Sequence, residues 1–137
     1  MEEFGLKQTI DTLARRRGDY STEAYLFTLE ALNVSAARLS VHRHLSGPEL
    51  LRGIVTLAWE RFGDSAAGVF DDWGISATRD FGVIVLDLVD EGILSKTDDD
   101  TIDDFENVFD LREEIREESW RQKWRHEGSE DFAGTGR

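Results

Sequence analysis

A chain of 137 residues with 39% apolar side chains, 33% charged side chains and a single proline has the balance of one helix-rich globular domain, not of a disordered segment. No apolar run approaches the roughly 20 residues a bilayer crossing takes, and the absence of cysteine excludes disulfides and thiolate metal sites. The net charge of −13 is uneven: residues 1–44 hold six acids and six bases, while residues 87–106 hold nine acids against Lys96 alone, a net of −8. A field of that sign repels nucleic-acid phosphates and attracts basic partners or cations. The opening MEEFGLKQTI has acids where a signal peptide places bases, so the expected location is cytoplasmic.

Leu6, Ile10, Leu13 and Ala14 recur at helical spacing and predict a first helix, closed by Arg15-Arg16-Arg17-Gly18. The cations meet the negative end of the helix dipole, and the glycine takes the left-handed cap. Ser21 or Thr22 caps a second helix, whose stripe is Tyr25, Leu29, Leu32 and Ala36 with Leu26 and Phe27 beside it. Residues 38–44, RLSVHRH, fit either a short strand or the tail of that helix. In HLSGPELL, Ser46 as N-cap, Pro48 in the first turn and Glu49 three residues on make a capping box. The helix that follows buries Leu51, Ile54, Val55, Ala58 and Phe62 and ends at Gly63. A shorter helix, from about Ser65 to Trp73, aligns Ala66, Val69, Phe70 and Trp73 and stops at Gly74. Ile75 plugs the turn, and Ser76 or Thr78 caps the next helix. These are helix-turn-helix proportions.

Residues 78–97 read TRDFGVIVLDLVDEGILSKT. Phe81, Ile84, Val85 and Leu88 form one helical face, and Val83, Leu86 and Val89 widen it, so this helix is buried on more than one side. Gly92 stops it. Ile93 to Thr97 then reads as a strand, residues 98–101 as a polar turn, and Phe105 to Leu111 as a returning strand. The expected fold is therefore mainly α with a small β-hairpin: a winged helix-turn-helix-like single domain over residues 1–110. A charged C-terminal helix over 111–127 and a disordered, Gly-rich tail over 128–137 follow. In that helix Leu111, Ile115, Trp120 and Trp124 are the only large apolar residues. Glu113 with Arg116 and Glu117 with Arg121 are spaced to pair.

HLSGPELL, the Phe62-Gly63 and Trp73-Gly74 pairs, DFGVIVLDLVDEGILSKT, and DDF before a hydrophobic segment occur in an order that resembles the Minf family of bacterial conserved hypothetical proteins. The resemblance spans roughly residues 20–110 and leaves the C-terminal helix and tail outside. It implies a small, cytoplasmic, single-domain bacterial protein and carries no activity, catalytic residue or ligand with it.

Four chemistries can be weighed on these residues. A DNA-reading helix at 78–90 would present Arg79 against Asp80, Asp87, Asp90 and Glu91, and each of those acids works against phosphate contact. Within TDDDTIDDFENVFD, Asp99, Thr101, Asp103, Asn107 and Asp110 fall at calcium-loop positions. The loop's glycine is replaced by Asp104 and its final Glu by Asp110. His42 and His44 lack a third ligand nearby, and no phosphate-cradling glycine loop is present. His44, Ser46 and Glu49 sit close together, but the capping box already employs the serine and the glutamate. No catalytic, cofactor or metal site is expected. The favoured reading is a non-catalytic adaptor whose Asp98, Asp99, Asp100, Asp103 and Asp104 meet a basic protein surface. Trp120 and Trp124 pack on the domain or dock on another chain, a second copy included. The alternative is a winged-helix transcription regulator gripping DNA through Arg15, Arg16, Arg17, Arg38 and Arg43.

Overall fold

The computed structural model describes residues 2–39, 45–94 and 102–135, and the regular structure within them is helical throughout. In chain order it comprises α1 (Glu2–Arg17), α2 (Thr22–Ala37), α3 (Gly47–Phe62), α4 (Ala66–Asp72), α5 (Thr78–Asp90) and α6 (Leu111–Thr135). Short 3₁₀ turns lie at Gly63–Ser65 and Ile102–Phe105. None of the described helices is long and apolar enough to cross a membrane.

The core forms around α5, whose Phe81, Ile84 and Leu88 are fully buried and whose Val83 and Val85 are nearly so. Ile10 and Leu13 of α1, Tyr25 and Phe27 of α2, and Leu51, Ile54, Val55 and Ala58 of α3 complete it. Phe27, Phe62, Phe70, Trp73 and Phe81 form a continuous aromatic cluster. Phe27 meets Trp73 at 5.3 Å and Phe70 meets Phe81 edge-on at 5.4 Å. The buried face of α2 is Ala24, Phe27, Thr28 and Ala31 together with Tyr25. It is rotated away from the expected stripe, leaving Leu29 and Leu32 only partly covered and Ala36 exposed. Gly53 of α3 lies directly against Ser35 and the Ala31 carbonyl, so the two backbones approach where no bulky side chain separates them.

Local signals behave as their chemistry dictates. The Glu49 N–H donates to Ser46 Oγ at 3.2 Å and the Ser46 N–H donates to Glu49 Oε1 at 2.9 Å, closing the capping box of α3. At α5 the cap differs from expectation: Asp80 reaches back to accept from the N–H groups of Ser76 and Ala77 at 2.8 and 3.0 Å. The two interhelical turns before α2 and α5 meet. The Ser21 N–H donates to the Trp73 carbonyl at 3.2 Å, and Gly74, at φ 88°, lies against the Asp19 carbonyl.

The β-hairpin and the winged helix-turn-helix are overturned: no strand forms among the described residues, and Ser95 to Thr101 fall outside them. After Gly92 the N–H groups of Ile93 and Leu94 both turn back to the Leu88 carbonyl, at 2.9 and 3.2 Å. That closes the helix end and folds both side chains onto the core in place of an extended strand. The second expected strand, Phe105 to Leu111, is instead the end of the 3₁₀ turn, an irregular bend and the first residue of α6, held against α5. Thr78 Oγ1 donates to the Phe105 carbonyl at 2.7 Å and accepts from the Val108 N–H at 3.4 Å. Phe105 itself, 4% exposed, covers Gly82. Phe105, Val108 and Phe109 are spaced by three and one, as a turn over a helix wants, and Asn107 at φ 51° breaks extension. The C-terminal helix passes the expected boundary at 127 and is helical in backbone to Thr135, through most of the tail expected to be disordered. Gly128 costs such a helix about 1 kcal/mol, which propagation from an established helix absorbs.

Candidate functional site

Three of the five arginines proposed for DNA contact, Arg15, Arg16 and Arg17, are engaged by the protein's own acids. Arg15 pairs with Asp11 at 3.0 Å one turn back, and Arg16 with Glu91 at the end of α5. Arg17 lies 3.4 Å from both Asp19 and Asp87. Arg38 is the exposed C-cap of α2, and Arg43 lies outside the described residues. Beneath this seam Tyr25 donates to Asp87 Oδ2 at 2.8 Å and Tyr20 donates to Asp80 Oδ1 at 2.7 Å. Burial first, then hydrogen bonding to a carboxylate, pushes both phenols well above their ordinary range. Of the acids on the supposed recognition helix and its end, Asp80, Asp87 and Glu91 thus bind α1, the residues around α2 or the cap of α5 itself, and Asp90 faces outward. Arg79 pairs with Glu106 at 3.2 Å.

Of the acidic cluster, Asp98, Asp99 and Asp100 lie outside the described residues. Asp103 is exposed on the 3₁₀ turn, and Asp104 is half-buried with its Cβ and carbonyl against Gly47. Among the described residues no three His, Asp or Glu side chains gather as metal ligands.

The remaining feature is α6, which is fastened by a polar clasp that sequence reasoning did not find. Leu111 and Ile115 are buried as expected, but the next buried positions are Glu118, 4% exposed, and Ser119. Arg52 of α3 stacks over Phe109, its Cζ 5.5 Å from the ring centre, pairs with Glu114 and comes within 3.8 Å of Glu118. Arg121 holds Glu118 at 2.8 Å and Glu114 at 3.2 Å, and Gln122 donates to Glu118 at 2.6 Å. Arg121 therefore does not form the expected pair with Glu117, whereas Glu113 and Arg116 do pair, at 2.5 Å. Burial would raise the pKa of Glu118, but the bonds from Gln122 and Arg121 outweigh it and hold the carboxyl below its ordinary range. Hydrogen bonding from Arg52 does the same for Glu114. Asp64 accepts from Ser119 Oγ at 2.7 Å and from Lys123 Nζ at 3.1 Å, and these bonds lower its pKa too.

Because the clasp takes positions 115, 118, 119 and 122, the tryptophans fall on the flank. The stripe of Ile115, Trp120 and Trp124 splits: Ile115 goes in, while Trp120 and Trp124 stand 63% and 66% exposed. Trp120 borders a groove of about 470 Å³ whose lining includes Asp64, Arg116, Glu117, Ser119 and Lys123.

No family model, curated protein or solved structure matched the chain.

The proton of Ser119 is committed to a carboxylate, and Ser46 and Glu49 are occupied in the capping box. The signal that could have revealed the clasp is the i, i+4 and i, i+7 run Glu114-Glu118-Arg121 beside Ile115. In sequence that run reads equally as a solvated face.

Proposed function

We propose that this protein is a non-catalytic adaptor whose acidic surface docks on a basic protein partner. The observation that carries it is the fate of the bases. Arg15, Arg16, Arg17, Arg52, Arg61 and Arg79, and likewise Arg112, Arg116, Arg121 and Lys123, each sit against one of the protein's own acids. The net −13 is consequently surplus that internal pairing leaves over; of the formal −8 in residues 87–106, Asp87, Glu91 and Glu106 are already met by Arg17, Arg16 and Arg79. Membership of the Minf family belongs to the same proposal and adds no site to it. The engagement of Arg15, Arg16 and Arg17 on α1 and α5 counts against the regulator reading.

The test is affinity capture on the immobilised full chain at low and high salt, with Asp98, Asp99, Asp100, Asp103 and Asp104 changed together to Asn in parallel. A basic protein retained at low salt, released by high salt and lost in the neutralised variant supports the adaptor. Equal capture by the variant, or no basic protein at all, ends it. A gel shift with duplex DNA whose affinity falls steeply with salt would establish the regulator in its place.

A further inference from the structure

We infer that the outward flank of α6 pairs antiparallel with the same flank of a second copy of this chain, about a two-fold axis at Trp120. A two-fold contact must be self-complementary: whatever stands a given number of residues before the axis meets what stands the same number after it. Applied here, three residues either side place Glu117 opposite Lys123 of the second copy. Four residues either side place Arg116 opposite its Trp124. The first is an ion pair and the second a cation over an indole face, each made twice by symmetry. Trp120 lies over its counterpart on the axis, beside the groove that Arg116, Glu117 and Lys123 already line.

The side chains this pairing needs are available on the isolated chain. Trp120 and Trp124 are about two-thirds exposed, which leaves large apolar rings in water for a contact to cover. Arg116 and Lys123 keep most or half of their side-chain surface, 73% and 51%, despite their pairing with Glu113 and Asp64. Glu117 makes no ion pair among the described residues, since Arg121 has turned to Glu118. The register also sets its own limit: seven residues out, Glu113 would oppose Glu127. The contact is short, and the dimer it forms is a weak, reversible one.

This inference is independent of the acidic-adaptor reading, and its experiment separates them. Sedimentation velocity on the full chain over a rising concentration series is expected to show a concentration-dependent dimer, absent from the W120A/W124A double variant. E117K and K123E, each alone, place like charges across both copies of the pair and are expected to weaken dimerisation about tenfold. An equimolar mixture of the two restores it. In the mixed dimer the new lysine at position 117 of one copy faces the new glutamate at position 123 of the other, and the unaltered Lys123 and Glu117 face each other as before. Circular dichroism of each variant checks that α6 is intact. A wild-type chain that stays monomeric at the highest concentration overturns the pairing, and so does a mixture no tighter than its components. Dependence on Trp120 and Trp124 without rescue in the mixture would mean another register or another partner on the same flank, and the two-fold at Trp120 would be abandoned.

Discussion

Replacing Gly82 with Ala tests the feature that displaced the expected wing. Gly82 is in the middle of α5, so on intrinsic helix preference alone the change should stabilise the protein by about 1 kcal/mol. The added Cβ, however, would lie 2.8 Å from Phe105 Cβ and 2.9 Å from its Cγ. Those atoms are at the root of the side chain, so relief requires moving the 3₁₀ turn that Thr78 pins at 2.7 Å. Overpacking of this kind costs about 1–3 kcal/mol. The clash outweighs the gain in helix preference, and Gly82→Ala should destabilise by about 1 kcal/mol net. Phe105→Ala alone should cost about 3–5 kcal/mol through the cavity it leaves. Losing the ring removes the Cγ contact but leaves the Phe105 Cβ position occupied at 2.8 Å, so the cost of Gly82→Ala should shrink in that background. Urea unfolding followed by far-UV circular dichroism on the four proteins of this cycle reads the coupling. A Gly82→Ala effect that is favourable in the wild-type background, or identical with and without Phe105, would show that the turn does not rest on α5.

Two further outcomes follow from titration. The chain's two tyrosines are both held neutral by burial and by donation to Asp80 and Asp87. A folded pKa above the unfolded one contributes stability that is complete below about 10 and lost as pH rises through the folded value. Tyrosinate absorbance should therefore appear together with loss of helix; ionisation near pH 10 in an intact fold would refute the contacts. For Glu114 and Glu118 the sign is opposite: their folded pKa values lie below the ordinary glutamate range, so the clasp stabilises above that range and fails as pH falls through the folded values. Arg52→Met should cost about 1–2 kcal/mol at neutral pH and progressively less in acid. An equal cost at both pH values, in urea titrations, would rule out this role for Arg52.

What sequence alone could show depended on how local the physics was. The capping box at Ser46 and Glu49, the glycine stops at Gly18, Gly63, Gly74 and Gly92, and the burial of Phe81, Ile84 and Leu88 are settled within a few residues, and all are present. Ile93 to Leu94 and Phe105 to Val108 were misread because short apolar runs have the same composition in a strand and in a turn laid on a helix. What decided the second of these was Thr78 and Gly82, more than twenty residues away from Phe105. The clasp was hidden for a related reason: Arg52 meets Glu114 from a different helix, and Asp64 meets Ser119 and Lys123 from a different turn. A charged helix side reveals its inward members only once its neighbour is known, and for want of one Trp120 and Trp124 could be read either as packed on the domain or as docked on another chain.

The junction where the Ser21 N–H reaches the Trp73 carbonyl and Gly74 abuts Asp19 ties two loops that are over fifty residues apart. Neither can gain or lose a residue alone without pulling the other out of register. Any gene that encodes this architecture should therefore tolerate insertions elsewhere while these two connectors keep their lengths, or change them only together.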